Sequence, residues 1–151
     1  MKTPESAKYL NVLLNFLGLL VILSLIGFIS HVVTMESVVG VGNLILTFYG
    51  GIYLLALLIV VVILKRVVGT IIFARNPLVE ENVIRFRRAA YIFFALGTFE
   101  FIVIGIARMV TEGNPFSFGF VFSLFIGCII LVLADVFKFA IKIKEENDLT
   151  V

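Results

Sequence analysis

The stretch KRVVGTIIFARNPLVEENVIRFRR, residues 65–88, lies at the middle of this 151-residue chain and decides its fold. It holds six of the twelve Lys and Arg residues and an Asn-Pro dipeptide, Asn76-Pro77. Two long apolar runs precede it and two follow it. We therefore predict that residues 65–88, called the joint from here on, connect two membrane hairpins on the cytoplasmic side.

The apolar runs are long enough to cross a membrane. They cover about residues 12–29, 44–64, 89–107 and 116–134, and each is close to the roughly twenty residues that span a bilayer core as a helix. The chain is 62% hydrophobic and 15% charged, whereas soluble domains have roughly a half and a quarter. The alternating pattern of a membrane β-barrel is absent. The sequence predicts an all-α, polytopic membrane protein with a four-helix transmembrane bundle and a single domain, 1–151.

Two of the helices are predicted to extend beyond the bilayer. The apolar residues Val67, Val68, Ile71 and Ile72 continue a helical pattern after the second span, to about residue 74. Asn76-Pro77 ends that helix, because the residue before a proline is disfavoured in helical conformation. The fourth helix is likewise expected to continue into the tail, residues 135–151, so that both extensions lie in the cytoplasm.

Charge placement predicts the orientation. If both termini are cytoplasmic, eleven of the twelve basic residues lie inside and only Arg108 lies outside. Such a bias is the signature of cytoplasmic loops. The expected location is the cell membrane, with multiple passes, both termini in the cytoplasm and the lipid bilayer as the surrounding partner.

Two cytoplasmic segments resemble a known family. The joint contains NPL, ENV and RFR within residues 76–87, and the tail contains DVFK at 135–138 and EENDLTV at 145–151. These motifs resemble small bacterial four-span proteins of domain-of-unknown-function family 2975. The chain departs from the family pattern at Leu78 and Phe86, and at Val79, where a hydroxyl cap is common. No enzymatic activity is established for that family. Its members are often encoded beside a small helix-turn-helix regulator, so the resemblance implies a membrane protein that controls or anchors a transcription regulator.

The joint and tail are therefore the expected docking surface for a cytoplasmic regulator. The residues assigned to it are Asn76, Pro77, Leu78, Glu81, Asn82, Arg85, Arg87, Asp148, Leu149 and Val151. We also expect the tail to fold back onto the basic joint, because it is acidic and ends in apolar side chains. Direct nucleic-acid binding is not expected, since the basic residues are scattered among Val, Ile and Phe and form no recognition motif.

Glu100 is the one charged residue within the four apolar runs. A carboxylate costs several kcal/mol in the membrane unless it is protonated, paired or facing water, so we expect either a neutral acid or a functional group. Five polar residues are candidate partners: Asn15, Ser24, Thr47, Tyr49 and Ser123. Asn15 is the other intramembrane polar residue that we single out.

Further polar and small residues have structural interpretations. Asp135 is expected to pair with Arg85, Arg88 or Lys138 near the inner boundary. Gly119, Ser123 and Gly127 form a small-residue row at four-residue spacing, which lets another helix approach closely, either within one chain or between two copies of a homo-oligomer.

No catalytic constellation, metal site or cofactor motif is apparent. The single histidine, His31, and the single cysteine, Cys128, leave no His/Cys ligand set. We expect a membrane regulatory or scaffold protein that is not an enzyme. The alternative is a small proton-coupled transporter or channel that uses Glu100.

The predicted orientation is tested by cysteine labelling at Ser37 and Val79, each in a Cys128→Ser background so that the native thiol does not react. Because eleven basic residues favour the cytoplasm, we expect an impermeant reagent to reach residue 37 from outside and not residue 79. The reverse pattern would overturn the orientation.

Overall fold

The structure is a computed structural model that describes residues 5–34, 40–73, 76–112 and 118–149, and within 110–112 the backbone alone. Helices are the only regular secondary structure that these residues form. Helix α1 is Glu5–Thr34, α2 is Val41–Ile72, α3 is Glu80–Phe99, α4 is Gly105–Glu112 and α5 is Phe118–Asp148. A π-helical turn, Glu100–Ile104, joins α3 to α4 without a break.

Four helical segments are long and apolar enough to cross a membrane: Glu5–Thr34, Val41–Ile72, Glu80–Met109 and Phe118–Asp148. The predicted all-α, multi-pass class is confirmed. Each helix is longer than the apolar run that predicted it. In α1 and α2, helix occupies residues 30–34 and 41–43, between the first two predicted spans, because apolar composition marks the lipid-embedded part of a helix and not its ends.

The helices pack in the order of the chain. Among the described elements, α1 contacts α2 alone, α2 contacts α3, the π-helical turn and α4, and α5 contacts α3 and the π-helical turn. The most extensive contact is between α3 and α5. The bundle is therefore open, with α1 and α5 at its two edges and α2 and α3 between them.

The tightest packing lies toward the end of the bundle that carries the joint. One buried cluster combines α2, α3 and α5, and its members are Val67, Val83, Phe86, Ala134 and Ile141. The rings of Phe86 and Phe137 are in contact there, with centroids 5.1 Å apart. A second cluster, of Val60, Ala89 and Phe93, continues the core further along α2 and α3, away from the joint. The joint thus rests on the best-packed part of the molecule.

The described part of the joint is mostly helical. α2 continues through Ile72, and residues 76–79 form the non-helical turn that precedes α3. The Oδ1 atom of Asn76 accepts a hydrogen bond from the backbone N–H of Leu78 at 3.1 Å, an Asx turn that redirects the chain. Val79 is extended and supplies no side-chain cap to α3, as its missing hydroxyl predicts. Glu80 and Glu81 lie in the first turn of α3, where acidic residues favour the helix dipole.

The side chain of Asn82, in α3, is hydrogen-bonded both to this turn and to α2. Its side-chain Nδ2 donates to Thr70 Oγ1 of α2 at 2.7 Å and to the carbonyl oxygen of Pro77 at 2.9 Å. Its Oδ1 accepts a hydrogen bond from Arg85 Nη1 at 2.9 Å. The residue is completely buried, so these bonds replace the water that its amide would otherwise hold. Asn82 therefore fixes the angle between α2 and α3.

Replacing Asn82 by Ala should destabilise the protein, because it leaves buried partners unsatisfied. We expect a loss of about 1–3 kcal/mol in the free energy of unfolding, seen as a lower thermal midpoint in detergent. Asn43→Ala, at an exposed position near the start of α2, is the matched control and should leave the midpoint unchanged. Equal midpoints for the two variants would contradict the role assigned to Asn82.

Candidate functional site: a buried carboxyl and a cytoplasmic groove

Glu100 begins the π-helical turn in the third membrane segment. The backbone N–H of Gly105 donates to the carbonyl oxygen of Glu100, five residues earlier, which is the spacing of a π-helix. Such single turns widen a helix by one residue and often occur at functional sites. Sequence reasoning missed this turn, since EFIVI has no residue that distinguishes a π-helix from an α-helix.

The carboxyl group of Glu100 is buried and hydrogen-bonded. The residue is 6% exposed, and its Oε2 accepts a hydrogen bond from the hydroxyl of Tyr49 on α2 at 2.8 Å. The Tyr49 ring is held in turn by Phe99, stacked at 5.8 Å, and by Tyr53, at 5.9 Å between centroids. The structure thus selects Tyr49 from the five candidate partners.

The other candidates lie elsewhere. Asn15 and Ser24 are on the exposed surface of α1, which contacts α2 alone among the described helices. Thr47 donates its hydroxyl to the backbone oxygen of Asn43 at 2.8 Å. Ser123 lies on α5 and is buried, at 2% exposure. Asn15 therefore does not join Glu100 in a shared polar site.

Gly119 closes the site from the side of α5. A Cβ atom at this position would clash with the carboxyl oxygens of Glu100, so only glycine leaves room for the carboxyl in its observed place. Gly119 is the second residue of α5 and Tyr49 is the ninth of α2, so the carboxyl lies nearer the end of the bundle opposite the joint.

The two glycines of the small-residue row face the third membrane segment, Gly119 at the π-helical turn and Gly127 at α3. A Cβ on Gly127 would lie 3.2 Å from the Phe94 ring and 3.3 Å from the backbone oxygen of Ala90. Gly97 of α3 has the same relation to Leu124, at 3.0 Å. The structure accordingly uses Gly119, Ser123 and Gly127 for packing within one chain.

The arrangement around Glu100 suits hydrogen bonding more than metal binding. Across the described residues, no three His, Cys, Asp or Glu side chains are grouped as a metal site would require.

His31 is exposed in the last turn of α1. Arg108, which we expected at the outer boundary, is half-buried in α4, and its Nε has no hydrogen-bond partner in the described part of the chain.

A second candidate site is a groove of about 670 Å³ between the start of α3 and the last third of α5. Val83 and Ile141 are buried at its floor, and Ile84 and Phe139 are exposed along it. Charged side chains of both signs border it: Glu80, Arg87, Asp135, Lys138, Lys142 and Glu145. We call it the α3–α5 groove.

The ion pairs at this groove differ from the predicted ones. Asp135 pairs with Arg87 at 3.0 Å, across from α5 to α3, and not with Arg85, Arg88 or Lys138. Arg85 instead pairs with Glu81 at 2.7 Å, four residues earlier on α3. Residues 85, 87 and 88 point in three directions from one helix, and sequence spacing alone does not say which direction faces α5.

Two expectations about docking residues are corrected. Asn82 is completely buried with its amide occupied, so it supports the joint from within and is not available to a partner. α5 remains helical through Asp148 and Leu149 is 87% exposed, so the described part of the tail extends away and Leu149 does not pack on the joint. Val151 lies outside the described residues.

The remaining predicted docking residues are at or near the surface. Asn76, Pro77 and Leu78 are half-buried in the turn, and Glu81 and Asp148 are exposed. Among the described members of the predicted set, only Arg87 lines the α3–α5 groove. Sequence reasoning missed Ile84 and Phe139. An apolar residue just beyond a membrane span looks like the continuation of that span, and its exposure is evident only from the packing.

Four long apolar helices, a buried membrane carboxyl and a charged groove at one end define a polytopic membrane protein. The chain belongs to the family described as Protein of unknown function (DUF2975), whose profile matches residues 7–151. No curated protein and no solved structure matched the chain.

The Glu100 site makes a testable prediction about coupling between three helices. Tyr49→Phe removes the hydroxyl that donates to Glu100 and should cost about 1 kcal/mol of stability in detergent. Gly119→Ala should cost a similar amount, because its methyl group displaces the carboxyl from Tyr49. The two losses should not add: the double variant should be at most a few tenths of a kcal/mol less stable than the less stable of the two single variants.

Glu100→Gln serves as the control, because its amide oxygen still accepts from Tyr49, and its thermal midpoint should stay close to that of the wild type. Fully additive losses for Tyr49→Phe and Gly119→Ala would contradict a shared contact.

Proposed function

We propose that this chain is a non-enzymatic membrane regulatory or scaffold protein that holds a soluble partner at its α3–α5 groove. The observation that carries the proposal is the groove itself: an apolar strip with Ile84 and Phe139 exposed, bordered by charges of both signs. Partner helices are bound in such grooves through their apolar face, while charges at the edges fix the register.

Helix length supports a position of this groove outside the bilayer. α5 has 31 residues and is therefore about 46 Å long, while the hydrocarbon core is about 30 Å thick. If its first residues lie at one boundary of the core, its last ten residues or so project beyond the other. The positive-inside bias places that projecting end in the cytoplasm. In this proposal both termini are cytoplasmic and the groove faces cytosolic proteins.

The partner we propose is a small helix-turn-helix regulator, as the family resemblance implies. Anchoring such a protein at the membrane would keep it from its DNA without any contact between this chain and nucleic acid. The exposed end of α5, including Asp148 and Leu149, offers a second contact region for the same partner.

A transporter or channel is the second candidate, favoured by the buried carboxyl at a π-helical turn. Against it, the group is closed in by Gly119 and bonded to Tyr49, and it is the one charged residue within the four apolar runs of the sequence.

The test is capture of the partner from host membranes by crosslinking to the intact protein, with quantification by mass spectrometry. The groove variant Ile84→Ala/Phe139→Ala removes two exposed apolar anchors and should reduce recovery of the partner about tenfold or more. The control variant Phe73→Ala/Ile143→Ala makes the same two changes at exposed positions near the same end of the bundle but outside the groove. It should stay within about twofold of the wild type.

Equal losses for the two variants would contradict docking in the groove. The transporter hypothesis gains instead if the wild type carries a pH-dependent flux in liposomes that Glu100→Gln abolishes while folding is retained.

A further inference from the structure

A second groove, of about 610 Å³, lies between α2 and α3. Its walls are apolar over most of their length and end in two guanidinium groups. The lining residues are Leu58, Ile59, Val62, Ile63 and Arg66 of α2 with Arg88, Tyr91 and Ile92 of α3. From Leu58 to Arg66 the groove follows α2 for about 12 Å. We call it the α2–α3 groove.

The two arginines at its end have no partner within the described part of the chain. Arg85 and Arg87, on the same helix, are held in ion pairs with Glu81 and Asp135. Arg66 and Arg88 make no hydrogen bond or ion pair with any described residue, and no acidic residue among those described lines this groove. Two like charges therefore lie at one opening with their hydrogen-bond donors available, which favours an anion between them.

The distribution of charged and apolar side chains along the groove matches that of one amphiphilic molecule. Charge lies at one end, Tyr91 lies one turn from Arg88 toward the membrane, and aliphatic side chains line the rest. Tyrosine is enriched at the headgroup level, and paired basic residues between membrane helices suit anionic headgroups.

We propose that the α2–α3 groove binds one anionic phospholipid. Its phosphate lies between the guanidinium groups of Arg66 and Arg88, and one acyl chain follows Leu58, Ile59 and Val62. A helix of another protein would leave both charges unpaired unless it brought acidic residues to that end, and a second copy of this groove would bring arginine against arginine. Lipid is the occupant that matches both the charge and the apolar length.

The experiment uses the purified full chain in zwitterionic detergent, with native mass spectrometry and thermal stability as readouts. Phosphatidylglycerol is titrated against phosphatidylcholine with the same acyl chains, and glycerol phosphate represents the free headgroup. We expect one phosphatidylglycerol to remain bound and to raise the thermal midpoint, whereas phosphatidylcholine and glycerol phosphate do neither.

Three variants locate the site. Arg66→Gln/Arg88→Gln should weaken phosphatidylglycerol binding about thirtyfold, because each basic residue near an anionic headgroup contributes about fivefold. Lys65→Gln/Lys144→Gln removes the same charge from exposed positions outside the groove and should change binding less than twofold. Val62→Phe fills the apolar part without altering charge and should also weaken binding. It keeps the test valid if the double arginine variant fails to fold.

Other outcomes would overturn the proposal. Equal losses in the arginine and lysine variants would mean general attraction to anionic lipid. Equal binding of phosphatidylcholine would remove headgroup recognition, and competition by glycerol phosphate at equal concentration would indicate a soluble phosphate site. If the groove variants change the monomer–dimer distribution of the protein and leave lipid binding unchanged, the groove is an interface between two copies of the chain.

Discussion

The close approach of α3 and α5 is the constraint on which the rest of the structure depends. Hydrophobicity does not drive helices together in a bilayer, because lipid tails are as apolar as the helix surface. Helices associate instead through van der Waals packing, which small residues allow by letting the backbones approach closely. Gly97, Gly119 and Gly127 allow that approach, and Ala134 is completely buried within it. The same contact closes the Glu100 site at one end and forms the walls of the α3–α5 groove at the other.

The open order of the helices explains why both grooves exist. A closed bundle would pack α1 against α5 and bury more of the outer surface, whereas here α1 contacts α2 alone among the described helices. The contact of α2 with α3 is less extensive than that of α3 with α5, and the space between them holds the α2–α3 groove. Function is therefore expected along the sides of α3, because this helix forms one wall of each groove.

Two buried polar groups, near opposite ends of the third membrane segment, tie it to α2. Asn82 bonds to Thr70 near the joint, and Glu100 bonds to Tyr49 toward the other end. An unsatisfied polar group is costly in an apolar surrounding, so each pair restrains how α2 and α3 can slide or rotate. The proposed regulatory role requires grooves that keep their shape, and such restraints would preserve it; this structural interpretation of Glu100 agrees with its enclosure by Gly119.

The sequence alone was enough to predict the class, the four membrane segments, the turn at Asn76-Pro77 and the isolation of Glu100 among apolar residues, because length, apolar runs and proline act locally along the chain. It could limit the partners of Glu100 to five residues but not choose Tyr49, and it placed Asp135 beside the wrong arginine. It also gave no sign of the π-helical turn or of the burial of Asn82. Those outcomes depend on how each helix is rotated about its axis, and on helices that are apolar all round, hydrophobic pattern does not specify that rotation. Only the tertiary contacts between α2, α3 and α5 decided it.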